Sequence, residues 1–361
     1  MNKMLYIVIG IIIISLLFYL FGNKEGEEKH DIIYESTASQ SHDRIVKLGL
    51  QNSTQVVSGI LDETKLNIPK IKENNNKKEY RADSSRQWIL NLLLPKDEII
   101  SQDELYELFD LEWRTKFTST IFGYSPEENR WTYALAGGAP THYNKVQIAI
   151  DLLDVFSEAS PDYDDKKLER YVTELEKRLK NKALKYNVQE LESKKSAIEK
   201  SKKLVKLNLL FDKEIVISLQ SKNQYDGREV WNVLQNLGLK WGDGDLFHWN
   251  NSSQYASDEH FSVWTSTSPG YFLPEHVIQG KMNPTNIVFG FSIPRSADPI
   301  NIYQVVINSI NYCQEKLGGK IMNKEGKPFE EVLERKELEV LVKEMIDNDV
   351  IPGSDNALML Y

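Results

Sequence analysis

The chain has 361 residues, 27% of them charged, and carries a net charge of −9 at pH 7. This length allows two domains of ordinary size and the segments that join them. The negative charge excludes a general nucleic-acid binder, because phosphate backbones attract positively charged surfaces. Cys313 is the only cysteine, so no disulfide can form within the chain.

An apolar run, Met4–Phe21, lies near the start of the chain and contains neither a charge nor a proline. About 18 helical residues span roughly 27 Å, close to the thickness of a bilayer's hydrocarbon core. A cleaved signal peptide fits less well, since the run is long and GNKEGEE follows it instead of a small-residue cleavage pattern. We therefore predict a transmembrane anchor over residues 1–22, with the lipid bilayer as the partner of residues 4–21.

Residues 23–85 are rich in Lys, Glu, Asn and Ser and contain few apolar side chains. Such a composition cannot bury a core of its own. The sequence therefore predicts a flexible polar linker over residues 23–85.

A first folded α+β unit is predicted over residues 86–163. Its expected elements are a strand at Arg86–Leu94, a helix at Ser101–Asp110, a hairpin within Phe117–Leu135 and a helix at Tyr143–Phe156. Ser101 and Glu104 have the spacing of a capping box, which marks the start of the first helix.

The helical spacing of apolar residues predicts a long connecting helix over residues 164–212. This helix packs on its own domain or, as the alternative, pairs in a coiled coil. Its second half carries a basic patch of six lysines, Lys194, Lys195, Lys200, Lys202, Lys203 and Lys206. The patch is a solvated helix face or, as the sharper interpretation, a contact for lipid headgroups.

Residues 213–347 contain short aromatic and β-branched runs bounded by Gly, Pro, Asp and Asn, which is typical of strands and turns. The order strand, helix, three strands, helix predicts an α+β fold in which an antiparallel sheet has helices on one face. Helices are expected around Arg228–Asn236, Ile302–Leu317 and Phe329–Asp347, and residues 348–361 form a C-terminal tail. The elements of residues 86–163 follow a similar order, which indicates two tandem copies or, as the alternative, an unrelated α+β unit.

The sequence offers no convincing catalytic or metal-binding constellation. Its six histidines are scattered, no HExxH or CxxC spacing occurs, and Gly318–Lys320 lacks the upstream glycine of a P-loop. We therefore expect neither enzymatic activity nor a cofactor or metal site.

A binding site is better supported, because alternate residues of a strand point to opposite faces of a sheet. If Ile217, Val263 and Phe289 face the core, then Val216, Trp264 and Val288 face outward. An apolar patch among small polar residues on an uncovered sheet face suits an amphipathic peptide.

The segment resembles the C-terminal domain of the ZipA family of bacterial cell-division proteins. The resemblance covers about Lys213–Asp347 and is carried by GDGDLFH at Gly242–His248, the FS that opens a strand at Phe261, and PG at Pro269–Gly270. It implies that the open sheet face binds the C-terminal tail peptide of the tubulin-like protein FtsZ. The predicted peptide-binding residues are Val216, Ser218, Gly244, Leu246, His248, Trp264, Ser266, Val288 and Gly290.

The resemblance also implies how the chain is used. We expect a single-pass adaptor of the bacterial inner membrane, with the bulk of the chain in the cytoplasm, that tethers FtsZ to the membrane. The alternative is a structural component of an envelope or secretion assembly, in which the same fold serves permanent subunit packing. The sequence leaves the oligomeric state open.

Overall fold

The computed structural model describes residues 40–51, 56–57, 59–70, 79–156 and 166–361. Within these ranges the chain forms two compact units. The first unit holds residues 79–150 and 168–191. The second holds the described parts of 40–70, together with 151–156, 166–167 and 192–361.

The first unit is built around a five-stranded sheet. Its elements are β1 (Gln87–Leu93), β2 (Ile100–Ser101), α1 (Gln102–Leu108), α2 (Leu111–Lys116), β3 (Thr120–Ser125), β4 (Arg130–Tyr133), β5 (His142–Tyr143), β6 (Lys145–Asp151), α3 (Lys166–Asn181) and β7 (Asn187–Glu190). The sheet has the order β4-β3-β6-β1-β7, and β2 pairs with β5 separately. Strand β3 is antiparallel to β4 and β6, and β1 is antiparallel to β7.

Helix α1 starts where the sequence places it. The Ser101 hydroxyl accepts a hydrogen bond from the Glu104 N–H at 3.2 Å, and the Glu104 carboxylate accepts one from the Ser101 N–H at 2.8 Å. These two bonds satisfy backbone donors that the first turn of a helix leaves free.

The helix predicted over Tyr143–Phe156 is mostly strand β6. Val146, Ile148 and Ile150 alternate along it, and the residues between them are buried as well. Because β-branched residues at a period of two pack well in a sheet buried on both faces, this pattern outweighs the helical spacing that the same residues offer.

The second unit contains a six-stranded sheet and most of the helices. Its elements are α4 (Lys194–Phe211), β8 (Glu214–Gln220), α5 (Gly227–Leu237), β9 (Lys240–Trp241), β10 (Phe247–Asn250), β11 (Glu259–Trp264), α6 (Pro274–Ile278), β12 (Asn286–Ser292), α7 (Pro299–Leu317), β13 (Lys320–Met322), α8 (Glu331–Asp347) and α9 (Asp355–Leu360). Residues 40–47 are also helical. Three short 3-10 helices lie at Glu63–Lys65, Asp154–Phe156 and Asp243–Asp245.

The six-stranded sheet has the order β13-β8-β12-β11-β10-β9, and all of these neighbours are antiparallel. One of its faces carries the core of the unit. There Ile217 and Phe289 are fully buried in one hydrophobic cluster with Trp231 of α5 and Val306 of α7. Helices therefore cover this core face of the sheet.

The long helix expected over residues 164–212 is divided into α3, β7 and α4. Ala183 adopts a left-handed φ of 55°, which ends the first helix, and the Leu184 N–H donates to the Leu179 carbonyl at 3.0 Å. Ser193 caps α4 by accepting from the Ser196 N–H at 3.2 Å. Strand β7 lies between the two helices and extends the first sheet.

The predicted fold class began with an N-terminal transmembrane helix, and this part of the prediction is corrected. In the part of the chain that the structure describes, no helix combines the length and apolar character needed to cross a membrane. The predicted span at Met4–Phe21 lies outside the described residues. The fold class is α+β with antiparallel sheets.

The prediction of tandem copies is also wrong, because the two sheets connect their strands differently. In the first unit the first strand of the hairpin, β3, lies beside β6. In the second unit the later strand of the hairpin, β11, lies beside β12. Trp113 lies in helix α2, whereas Trp241 lies in strand β9, so the two tryptophans are not equivalent either.

Part of the segment expected to be a flexible linker packs on the second unit. We call residues 40–51 and 59–70 the N-terminal strap. Its Ile45, Leu50 and Leu66 are buried in the hydrophobic cluster of the second unit. The Trp231 indole N–H donates to the Leu50 carbonyl at 3.1 Å. These few apolar residues cannot form a core by themselves, but they complete one that the rest of the unit supplies.

Polar contacts hold the strap at both ends. The Arg44 guanidinium donates to the two carboxylate oxygens of Glu275 at 2.8 and 2.7 Å, and it lies 5.1 Å from the centre of the Trp241 ring. At the other end, the Glu63 carboxylate accepts from the Ser252 N–H at 2.9 Å and lies 2.7 Å from His260 Nε2. The strap is therefore a structural part of the second unit.

Candidate functional site

Strand register defines the face of the six-stranded sheet opposite the core, which we call the open face. Val216 lies across from Gly290, Gly290 from Ser262, and Ser262 from His248. A second row runs from Met322 through Ser218 and Val288 to Trp264. Because residues directly across from each other share a face, both rows line the open face.

The centre of the open face is Trp264, which stands over Gly290. A Cβ placed on Gly290 would lie 2.5 Å from Trp264 Cη2 and 3.0 Å from Cζ3. Only glycine leaves room for the indole to lie against the backbone here. Val288, directly across from Trp264, is buried although it lies outside the main hydrophobic cluster. Trp264 itself is half-buried.

Two predicted site residues lie in the turn that leads into β10. Gly244 is exposed and has a φ of 62°, in the left-handed region that favours glycine. A Cβ on Gly244 would lie 3.6 Å from Cγ of Leu246, which is half-buried. The structure therefore brings Gly244 and Leu246 together just before His248.

Ser266 lies beyond the end of β11 and is exposed. Its N–H donates to Asn286 Oδ1 at 2.8 Å, and its hydroxyl accepts from the Asn286 amide. These bonds fix Ser266 at the edge of the sheet, two residues past Trp264.

The other end of the open face is a polar cluster around His248. Its Nε2 lies 2.8 Å from the Asp243 carbonyl oxygen, so Nε2 carries a proton and donates. Its Nδ1 lies 2.8 Å from Glu259 Oε2 and 3.0 Å from Ser262 Oγ. The Ser262 hydroxyl donates to the same Glu259 oxygen at 2.8 Å.

The charge of Glu259 decides the protonation of this cluster. Burial lowers the pKa of His248, but hydrogen bonding to Glu259 and its negative charge outweigh burial, so the pKa lies above its ordinary value. When the imidazole is protonated, both of its nitrogens donate hydrogen bonds. The cluster is then a buried imidazolium paired with a partly exposed carboxylate.

Sequence reasoning placed Val216, Ser218, His248, Trp264, Val288 and Gly290 correctly on this face, because strand alternation fixes it. It missed Glu259 and Met322. Glu259 joins the cluster only through a bulge in the β10–β11 pairing, which no local pattern reveals. Met322 belongs to the three-residue strand β13, which is too short to give a periodic signal.

The C-terminal tail lies elsewhere in the second unit. Helix α9 contacts α4, where the Asn208 amide donates to the Leu360 carbonyl at 2.7 Å and the Tyr361 hydroxyl donates to the Leu207 carbonyl at 3.0 Å. Ala357 of this helix is buried in the main hydrophobic cluster. The tail therefore completes the core of the unit.

Fold and site together define a class of protein: an α+β domain whose antiparallel sheet is covered by helices on one face and carries an aromatic centre and a polar cluster on the other. Residues 213–337 match the family described as ZipA, C-terminal FtsZ-binding domain. This match confirms the resemblance predicted for that segment.

Curated relatives agree with the match. The cell division protein ZipA of Shewanella loihica is 28% identical over 98 residues, which are 27% of this chain and 29% of the relative. ZipA of Shewanella frigidimarina is 24% identical over 119 residues, 33% of each chain. ZipA of Marinobacter nauticus is 23% identical over 107 residues, 30% of this chain and 31% of the relative. The alignments therefore span about a third of each relative's length.

Proposed function

We propose that this protein is a cell-division adaptor that binds the C-terminal peptide of FtsZ on the open face of its second unit. The observation that carries the proposal is the half-buried Trp264, seated over Gly290 on a sheet face that the core helices leave uncovered. The match of residues 213–337 to an FtsZ-binding domain family supplies the identity of the partner. By the same resemblance, we place the adaptor at the bacterial inner membrane, with its second unit in the cytoplasm.

The geometry supports peptide binding through two kinds of contact. Trp264, Val216 and Leu246 offer half-buried apolar surface, which an apolar side chain of a peptide can cover. The cluster of His248, Ser262 and Glu259 offers polar atoms at the other end of the face. A peptide with an apolar stripe and a polar flank would satisfy both ends.

We expect the same cluster to serve recognition rather than catalysis. The Ser262 hydroxyl donates to Glu259, and His248 Nε2 donates to a backbone carbonyl. His248 Nδ1 in turn lies beside both Glu259 and Ser262, so the polar groups of the cluster already bind one another. The polar end of the face is therefore better suited to recognition.

The test is a titration of the full-length chain with a fluorescein-labelled FtsZ C-terminal peptide, followed by anisotropy. We expect saturable binding of the natural sequence and at least tenfold weaker binding of a scrambled peptide of the same composition. Equal affinity for both peptides, or no saturable binding, would contradict the proposal. If the peptide bound only after the chain was diluted from an oligomer to a monomer, the open face would instead serve subunit packing.

A further inference from the structure

Helix α4 of the second unit concentrates positive charge. Its sequence has six lysines and one acidic residue, Glu199, whereas the chain as a whole has a net charge of −9. Three of the lysines are already engaged, since Lys200 pairs with Glu192 at 2.6 Å and both Lys194 and Lys202 have interactions of their own. Lys195, Lys203 and Lys206 are exposed. Helix α4 therefore carries a positively charged patch on a protein whose net charge is negative.

One side of α4 is fixed to the second unit. Ala197, Ser201 and Phe211 are buried there. The Ser201 hydroxyl donates to the Leu152 carbonyl, and this pairing anchors the middle of the helix. Packing thus decides which side of α4 faces away from the unit.

The outward side combines lysines with exposed leucines, and we call it the lysine–leucine face. It consists of Lys195, Lys202, Lys206, Leu209 and Leu210. These positions follow one another at steps of seven, four, three and one, which keeps them on one side of a helix with about 3.6 residues per turn. Leu209 is 57% exposed and Leu210 is 45% exposed. Four of the five residues, with Val205, line one depression of the surface.

We propose that the lysine–leucine face of α4 binds an anionic lipid surface. Lysine ammonium groups attract the phosphates of lipid headgroups, and exposed leucines gain free energy when they enter the apolar region just below. A nucleic acid would bind the lysines but would leave the leucines exposed to water. The net negative charge of the chain would also oppose its approach. The combination therefore favours a lipid surface.

The expected strength follows from the lysines. Each lysine near an anionic membrane surface contributes about 1 kcal/mol. Neutralising two of them, as in Lys195→Gln with Lys206→Gln, should weaken binding roughly 30-fold. The charge-matched control is Lys336→Gln with Lys343→Gln, two exposed lysines on α8 that lie seven residues apart.

The experiment measures the polarity of the surroundings of α4 directly. A solvatochromic dye is attached to Leu209→Cys in the full chain, and the native Cys313 is buried and does not compete for the label. A second preparation carries the dye at Val332→Cys, which is 85% exposed on α8. Both are mixed with vesicles of phosphatidylcholine alone or with phosphatidylglycerol added. Because the dye reports only its own surroundings, vesicle contact by other segments does not change the signal.

We expect a blue shift of the dye at position 209 with phosphatidylglycerol vesicles, loss of the shift at high salt, and no shift at position 332. The Lys195/Lys206 pair of substitutions should weaken the response, and the Lys336/Lys343 pair should not. An equal shift with both vesicle types, or none, would overturn the proposal. A shift with duplex DNA in place of vesicles would overturn it as well. Peptide binding to the open face should be unchanged in all these variants, so failure of one proposal does not imply failure of the other.

Discussion

At the scale of single residues, the most distinctive feature of this site is the close contact between Trp264 and Gly290. The indole occupies the space that the absent side chain at position 290 leaves. One aromatic side chain thus fills the centre of the open face.

Trp264→Ala should weaken binding of the FtsZ peptide by about 2 kcal/mol or more, roughly 30-fold, because a half-buried tryptophan at the centre of a site commonly dominates its affinity. The fold should remain intact, since Trp264 lies outside the main hydrophobic cluster. Phe289→Ala is the contrast: it removes a fully buried core side chain and should cost about 3–5 kcal/mol of stability. Peptide titrations measure the affinity of both variants, and melting curves measure their stability. An unfolded Trp264→Ala protein, or one that binds like the parent, would place the site elsewhere.

Gly290→Ala should destabilise the second unit by about 1–3 kcal/mol, because its methyl group would overlap the Trp264 ring. In a Trp264→Ala background the same change should cost less, since the ring is gone. The remaining cost reflects the Ile215 carbonyl, 3.0 Å from the added carbon. Urea denaturation of the two single variants and the double variant measures the coupling. Additive free energies would show that the indole does not lie over Gly290.

His248 should make the stability of the second unit depend on pH. Its pKa in the folded protein is raised, so its contribution is fully present below the unfolded value of about 6.5 and is lost as the pH rises through the folded value. Stability should therefore fall in the parent as the pH rises above about 6.5, and this part of the slope should vanish in His248→Gln. His260 gives the opposite sign, because burial lowers its pKa and its contribution is lost as the pH falls. Urea melts of the parent and of each histidine variant separate the two, and an unchanged slope in His248→Gln would argue against the Glu259 pairing.

At the scale of elements, local pattern predicted what local interactions decide. The capping box of α1 and the inward and outward residues of β8, β11 and β12 follow from spacing alone. Strand β6 and the division of residues 164–212 could not be predicted in this way. In β6, burial on both faces overrides the helical spacing, and residues 187–190 form a strand because they pair with β1. Glu259 reaches the site because of a bulge in the β10–β11 pairing. The strap is ordered because it packs on a core that other parts of the second unit supply. These features depend on residues far away in the sequence.

The strap gives a test at this scale. Leu50→Ala should cost about 2–5 kcal/mol of stability, since Leu50 is only 1% exposed in the hydrophobic cluster. Val46→Ala, four residues earlier and 44% exposed, should change stability by no more than about 0.5 kcal/mol. Denaturant melts of the two variants provide the comparison. Equal and small effects would mean that the segment is a free tether in solution.

At the scale of the whole molecule, the second unit is discontinuous in sequence. The strap belongs to it, residues 79–150 of the first unit follow, and the chain returns to it at residue 151. Residues 168–191 of the first unit then interrupt it once more before α4. A fragment that begins at Arg86, where composition places the end of the linker, lacks the strap. It should unfold at lower denaturant than the full chain, and by more than Leu50→Ala alone, because Ile45, Leu50 and Leu66 are lost together. If the fragment were as stable as the full chain, the strap would add nothing to the core.

The strap also determines how the molecule bears force. Tension applied between residue 40 and a ligand held on the open face enters and leaves through the second unit, because both attachment points belong to it. The first unit is inserted into the sequence of the second as two segments, residues 79–150 and 168–191, and bears this load only after the strap has detached. Mechanical failure would begin with the Arg44 ion pair and the burial of Leu50, well before the sheet of the first unit was strained.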